Sequence, residues 1–325
     1  MVGPSQQVFV VERPLAGVSL TDFLEQSCGG DRLAVRRLVA AGDVCVNGVV
    51  CLSSRRLRTG DVVMMPGAKA AVTPRARPTR VADLPEVLFE SATLLVVDKP
   101  AGLPTVPDRS GEDRGVHGLL ERLRPGADLR IVHRLDRDTS GCLLLGKGIE
   151  AARHFDERFR EGGIAKTYVA VVHGSPAADA FTIDAFLGPD PRRPGKVVAS
   201  VTAARGFRDA RTEVVVRERF ERHALLGLHP RTGRGHQLRV HLAHEGLPIV
   251  GDRDYGGEPL LLSQLKDDYK LRPGVQEKPL VERTFLHAER IVCDDVDGSR
   301  VDVRAPLPRD LAKAIERLGN NERRR

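Results

Sequence analysis

The chain has 325 residues, more than one ordinary domain needs, so a large and a small domain are expected. Hydrophobic residues make up 41% and charged residues 29%, which fits a soluble globular protein. Fifty-one basic against 44 acidic side chains leave a net charge of +7, a balance that favours a polyanionic partner such as nucleic acid without establishing one. Five scattered cysteines (Cys28, Cys45, Cys51, Cys142 and Cys293) form no C-x-x-C pair, which argues against a disulfide framework and a structural zinc site. The run Val8 to Val11 is too short for a signal peptide, and no apolar run approaches the roughly 20 residues of a membrane span. A cytoplasmic location is expected.

In chain order, residues 1 to 18 read as an irregular lead-in. Ser19 can cap a helix carrying Leu20, Phe23 and Leu24. A second helix is expected from Asp31 to about Ala41, with Leu33, Val35, Leu38 and Val39 as its apolar positions and Gly42 as its stop. Val44 to Val46, then Asn47-Gly48, then Val49-Val50 is a hairpin signal, and a further strand follows at Val62 to Met65. These elements mark a small domain over 17–66. A basic, proline-containing linker over 67–85 follows.

A large domain is expected over 86–318. Val87 to Phe89 and Leu94 to Val97 read as a hairpin, residues 116–124 as a short helix, and Cys142 to Leu145 as a buried strand. Glu150 to Glu161 is a helix with Ala151, Phe155 and Phe159 on one face, stopped by Gly162. Strands are expected at Tyr168 to Val172, Glu213 to Val216 and Ala224 to Leu228. Gln237 to Glu245 reads as a helix, although its alternation also permits a strand. Arg290 to Val303 is a hairpin around Asp297-Gly298, and Asp310 to Leu318 a final helix before the basic tail. Strands following strands, with few helices between, predict an α+β fold with a mixed, largely antiparallel sheet.

Three clusters could carry chemistry. His133 to Gly141 is a polar loop between the apolar Ile131-Val132 and Cys142 to Leu145, where a rigid scaffold would hold a site. Asp136 offers a nucleophile or base, and Arg134 a phosphate contact or a group that fills a nucleic-acid stack. A salt-bridged loop with a capping Asp would look the same. Lys166-Thr167-Tyr168 starts a strand. Tyr168 offers a stacking face and a phenol, but a strand tyrosine packed in the core is the plainer reading. The third cluster, Arg231 to His244, places Gly233 and Gly235 among arginines, so that backbone can approach a ligand. A solvated basic loop is its alternative. Arg239, beside Leu238 and Val240, would need a carboxylate if buried, and Asp136 is one candidate. His236, His241 and His244 are not read as a metal site, because H-E-x-x-H and accompanying acidic ligands are absent. Phosphate-binding, dinucleotide-binding and nucleophile-elbow motifs are also missing, so no cofactor is expected.

The segment His133-Arg134-Leu135-Asp136-x-x-Thr139-Ser140-Gly141 resembles the signature of the RluA-type pseudouridine synthases, in which the aspartate is catalytic. Asp98-Lys99-Pro100-Ala101-Gly102 is similar to the family's N-K-P-x-G element, with Asp98 replacing the usual Asn. Lys166-Thr167-Tyr168 is similar to its K-x-Y element. Thr232-Gly233-Arg234-Gly235-His236-Gln237-Leu238-Arg239-Val240-His241 is similar to its T-G-R-x-H-Q-[IL]-R-x-H element. Gly251-Asp252-x-x-Tyr255 and Leu286-His287-Ala288 continue the likeness. The small domain resembles the S-four-like RNA-binding domain, though Arg32, Arg36 and Arg37 are opposed by Asp22, Glu25 and Asp31.

The resemblance implies an enzyme that isomerises uridine to pseudouridine in structured RNA, without metal or organic cofactor. Asp136, Tyr168 and Arg239 would be catalytic. Asp136 would act as nucleophile at C1′ or base at C2′, Tyr168 would stack on the uracil, and Arg239 would pair with Asp136 and orient it. Arg134, His133, Arg234, His236, Lys166, Arg36 and Arg37 would contact RNA. Large-subunit ribosomal RNA is favoured over transfer RNA, and a monomer is expected. Two other readings are a non-catalytic RNA-binding or ribosome-assembly protein on the same fold, and a nucleoside or glycoside hydrolase using Asp136, which usually wants a second carboxylate such as Asp138 or Asp252.

Overall fold

The computed structural model describes residues 6–11, 17–28, 35, 39, 44–47, 49–50, 56–66, 84–106, 115–266, 269–271 and 274–322. The chain divides into two compact units, Met1–Asp83 and Leu84–Arg325.

In the small unit, β1 (Gln6–Val10), β2 (Cys45–Val46), β3 (Val49–Val50) and β4 (Val62–Pro66) form a sheet in the order β1-β4-β2-β3. The irregular start expected for residues 1 to 18 is therefore corrected at β1. Its backbone pairs antiparallel with β4, from Gln6 opposite Pro66 to Val10 opposite Val62. An unpaired strand edge is a ready template, and this short upstream run covers it. Helix α1 (Leu20–Cys28) starts as expected: the Asp22 N–H donates to Ser19 Oγ at 3.2 Å. The helix buries Leu20, Phe23 and Leu24, and Phe9 meets the Phe23 ring edge-on at 6.4 Å. In the hairpin, Asn47 holds a left-handed φ of 53°, and its side-chain oxygen accepts the Val62 N–H at 2.8 Å. Of the second expected helix, Val35 and Val39 are helical and buried; the rest, Arg36 and Arg37 included, lies outside the described residues, as does most of the linker.

The large unit is built on strands β5 (Glu86–Glu90), β6 (Leu94–Lys99), β7 (Leu129–Ile131), β8 (Ser140–Lys147), β9 (Ala165–His173), β10 (Ala180–Pro189), β11 (Val197–Ser200), β12 (Arg208–Arg219), β13 (His223–Pro230), β14 (Leu286–Asp294) and β15 (Arg300–Arg304). Among the described residues they form one eleven-stranded sheet, in the order β11-β10-β12-β13-β9-β14-β8-β6-β5, with β15 on β14 and β7 on β8. The pairs are antiparallel except β8 with β14, so the expected mixed α+β sheet is what forms. Helices α2 (Val116–Leu123), α3 (Ile149–Glu161), α4 (Gln237–His244), α5 (Leu262–Leu265) and α6 (Arg309–Asn321) pack around it.

The continuous apolar runs of β6 and β8 are explained by burial on both faces. Leu95, Val97, Leu143 and Leu145 join one core with Leu120 of α2 and Leu311 and Leu318 of α6. Leu94, Val96 and Leu144 face the other way, onto Phe155 of α3. Strands β10, β11 and most of β12 escape the sequence reading: β10 is broken by Thr182 and Asp184 and runs into Gly188-Pro189, β11 has only four residues, and one face of β12 is charged. In β12, Arg208, Asp209, Arg211, Arg217 and Glu218 interrupt the apolar pattern that marks a buried strand.

Strand β14 positions the site. It comes late in the chain, yet lies between β8 and β9. Its Ala288 is level with Gly141 of β8 on one side and Tyr168 of β9 on the other. Lys99 of β6 stands opposite Gly141 on that strand's far side. One row across the sheet therefore carries Lys99, Gly141, Ala288 and Tyr168, spaced by the roughly 4.8 Å between strands. Gly141 makes this approach feasible: it has φ +110°, and a Cβ there would fall 2.2 Å from the Ala288 carbonyl oxygen. Gly141→Ala is therefore expected to cost at least about 2 kcal/mol of stability, from backbone strain and displacement of β14. Urea denaturation checks this, and an unchanged midpoint would contradict it.

Candidate active site

Asp136 lies on the loop between β7 and β8, and the backbone on each side of it is fastened to residues 99–105. Buried Thr105 Oγ1 accepts the Leu135 N–H at 3.0 Å and donates to the Leu135 carbonyl at 2.8 Å. Fully buried Lys99 donates through Nζ to the carbonyls of Pro100, Leu103 and Arg137 at 2.9, 2.7 and 3.0 Å. Burial pulls its ammonium down to about 7, and the three carbonyls take up its three N–H bonds. Within the loop the Thr139 N–H donates to the Asp136 carbonyl at 3.1 Å, and Arg283 Nη1 reaches the Asp138 carbonyl at 3.2 Å.

Arg239 rises from the first turn of α4. Its guanidinium, only 10% exposed, meets three carboxylates. Nη1 donates to Asp136 Oδ2 at 3.2 Å, Nε and Nη2 hold both Asp252 oxygens at 2.7 Å, and Nη2 also reaches Asp254 Oδ2 at 3.2 Å. The Tyr255 ring lies 4.9 Å from the guanidinium carbon. Burial alone would lower the Arg239 pKa, but the Asp252 and Asp136 carboxylates outweigh it and raise it. Asp252 is 1% exposed and bidentate, so it is the structural partner. Asp136 is 22% exposed and takes a single bond, which leaves its other oxygen for the cleft.

That cleft has a volume of about 1000 Å³, and Arg134, Asp136, Tyr168, Gly233, His236 and Arg239 are among its lining residues. Tyr168 is buried in its wall. Burial, reinforced by Asp136, raises the pKa of its phenol, so it stays protonated in the working pH range. Arg134 is exposed at the cleft.

His133 Nε2 accepts the Leu144 N–H at 2.9 Å, which leaves the proton on Nδ1, and its ring lies 4.6 Å from that of Phe159. Burial pulls this imidazole down to about 3, so it is neutral. Lys166 Nζ stands 5.3 Å from the Phe159 ring centroid, and burial lowers its ammonium to about 8.

The Arg231 to His236 loop is shaped by Gln237. Its Oε1 accepts from Thr232 Oγ1 at 2.8 Å and the Arg234 N–H at 3.0 Å, and its Nε2 donates to the Arg211 carbonyl and Thr212 Oγ1 at 3.0 Å. Arg234 turns to Asp209, with bonds of 2.9 and 3.1 Å. His236 takes a left-handed φ of 54° where α4 begins, and its Nδ1 lies 2.7 Å from the Tyr255 hydroxyl.

Residues 93–244 match the profile of the RNA pseudouridylate synthase family. The chain is 33% identical over 326 residues to the ribosomal large subunit pseudouridine synthase C of Yersinia pestis, covering 98% of this chain and 97% of that protein. It is 32% identical to the protein of the same name from Escherichia coli K12, with 98% of each covered. This chain belongs to the RNA pseudouridine synthase family. Among solved structures, human RNA pseudouridylate synthase domain containing 4 is similar, with a TM-score of 0.55 and 25% identity over 71% of this chain and 92% of that one. As a pseudouridine synthase it is an enzyme that isomerises uridine to pseudouridine.

The synthase fold gathers Asp136, Tyr168, Arg239, Arg134, His133, Lys166, Arg234 and His236 around one cleft. Asp254, Tyr255, Gln237, Lys99 and Thr105 acquire places that sequence reasoning left without a role, and Asp252 acquires one different from the role it was offered. Asp252 and Tyr255 did carry a signal, as the Gly251-Asp252-x-x-Tyr255 element, but nothing in it named Arg239 as the partner. The second-carboxylate idea for Asp252 does not fit, since both of its oxygens are engaged by Arg239. Asp252→Asn leaves the buried guanidinium undercompensated and is expected to cost about 3 kcal/mol. A urea midpoint within error of wild type would contradict that assignment.

Proposed function

We propose that this synthase isomerises specific uridines of large-subunit ribosomal RNA, with Asp136 as its catalytic carboxylate. The observation that supports this reading most directly is the Asp136 carboxylate, held by Arg239 in a cleft walled by Tyr168, with one oxygen free. The names of the Yersinia pestis and Escherichia coli relatives support the ribosomal substrate. Such a substrate is met in the cytoplasm, and no helix among the described residues is long and apolar enough to cross a membrane.

The isomerisation breaks N1–C1′, turns the uracil and joins C5 to C1′; a proton leaves C5 and one is gained at N1. A stacked uridine is out of reach and must flip into the cleft, at a cost of a few kcal/mol. Arg134, exposed at the cleft, would take its place in the stack. Tyr168 would present its ring to the uracil. Its protonated phenol suits it to donate a hydrogen bond rather than to wait as a phenolate base. Asp136 would begin the reaction by attacking C1′ or by removing the C2′ proton, and the bond to Arg239 aims it either way. Lys166 would meet backbone phosphate, with Arg234, His236 and the Nδ1–H of His133 as further contacts. The small unit, with Arg36 and Arg37, would add affinity for RNA.

Asp136→Asn is expected to abolish product, by about 10⁴-fold or more, while RNA still binds. Carbodiimide mapping of pseudouridine in treated ribosomal RNA reads this. Retained activity would sink the assignment, product confined to transfer RNA would move the substrate, and free uracil would indicate a hydrolase. Because burial lowers the Lys166 ammonium to about 8, its charge is present below that pH and lost above it. RNA affinity should weaken as pH rises through about 8, and Lys166→Arg should remove that component. A pH profile unchanged by the substitution would show that Lys166 does not meet RNA.

A further inference from the structure

Strands β10 and β11 are joined by residues 190–196, which carry Arg192, Arg193 and Lys196, and Gly195 and Val197 at the end of this hairpin line the cleft. The hairpin is fastened to one short turn, Arg253–Tyr255. The Lys196 ammonium pairs with the Asp254 carboxylate, and Arg193 Nη1 donates to the Asp254 carbonyl at 3.0 Å. The Val197 N–H donates to the Tyr255 hydroxyl at 3.2 Å, and Tyr255, Val197 and Ala199 pack against one cluster of Leu187, Ala210 and Val240.

The other side of the same turn is joined to the site. Asp254 Oδ2 accepts from Arg239 Nη2 at 3.2 Å. The Tyr255 ring covers the guanidinium, and its hydroxyl meets His236 Nδ1 at 2.7 Å. Arg239 in turn holds Asp136 through its remaining nitrogen, Nη1. Asp254 Oδ2 and the Tyr255 hydroxyl are thus each shared between the basic hairpin and the Arg239 assembly. Asp252, fully engaged and buried, is the fixed anchor. Asp254, 43% exposed, is the one whose partners can be exchanged at little desolvation cost.

We propose that the Lys196–Asp254 pair is a latch that seats the β10–β11 hairpin against the cleft and, through Arg239, sets the aim of Asp136. Asp254 and Lys196 are positioning residues, acting on the reaction through Arg239. This rests on the reading of Asp136 as the catalytic carboxylate and of RNA as the substrate.

Charge alone predicts the opposite of the latch. If Asp254 were merely an acidic group beside an RNA site, Asp254→Asn would reduce repulsion of phosphate, lower KM and leave kcat unchanged. The latch requires Asp254→Asn to lower kcat about tenfold with KM within about twofold, because misaiming of the carboxylate costs rate and not affinity. Asp254→Glu should recover part of kcat. Lys196→Met should lower kcat as well, and Lys196→Met with Asp254→Asn should be no slower than the worse single variant.

The experiment measures steady-state and single-turnover rates for the full chain, on deproteinised ribosomal RNA from cells lacking the gene, with melting temperatures recorded alongside. Asp254 is half exposed, so the variants should melt within about 2 °C of wild type. Wild type and Asp136→Asn run in parallel. A wild type that forms no pseudouridine would overturn the functional reading, and this inference with it. An active wild type with kcat unchanged in Asp254→Asn, or additive losses in the double variant, would overturn the latch alone.

Discussion

A guanidinium that is nearly removed from solvent cannot stand without counter-charge, and Arg239 is in that position. The desolvation of such an ion is worth several kcal/mol, and only well-made pairs offset it. Arg239 meets the requirement with carboxylates from two parts of the chain: Asp136 from the β7–β8 loop, and Asp252 and Asp254 from the turn after α4. The division of labour follows from burial. Asp252 takes the bidentate, solvent-free position and settles the charge. Asp136 can then accept one bond and leave its other oxygen facing the cleft.

The sheet supplies the rigidity that this arrangement needs. Because β14 enters between β8 and β9, the start of β8 and Tyr168 are held two strand spacings apart by backbone hydrogen bonds. The loop bearing Asp136 is then tied down from behind. Lys99 and Thr105 satisfy its carbonyls and one N–H with buried side chains, so the loop has few other conformations open to it. Neutral His133 belongs to the same scaffold through the Leu144 N–H, although it also faces the cleft. The cations Arg134 and Lys166 line the same cleft, where a polyanion would meet them.

Much of this was legible in the residues and their order. Doubly buried strands such as β6 and β8 announce themselves as apolar runs, and α3 by its period and its Gly162 stop. The His133 to Gly141 signature, with its companions in order, marks the cleft. Read by residue type alone, the same loop was as well explained by a salt bridge, and in fact it contains one: Asp136 does pair with Arg239. Strand β10 was hidden because it runs into Gly188-Pro189, β11 because it has only four residues, and the ends of β12 because their charged face looks like a loop. Strand β1 was hidden because five residues carry too little pattern, and only the edge of β4 gives them a reason to extend.

The sequence by itself determined the α+β class, the family, and which side chains could carry the chemistry, since local periodicity and motif order are written in neighbouring residues. The tertiary structure alone decided who pairs with whom. Arg239 and Asp136 lie 103 positions apart, and Ser140 and His287, which bond at the joint of β8 and β14, lie 147 apart. No local preference encodes such separations. They follow from burying charge and closing a sheet at once, constraints that act only when the whole chain is folded.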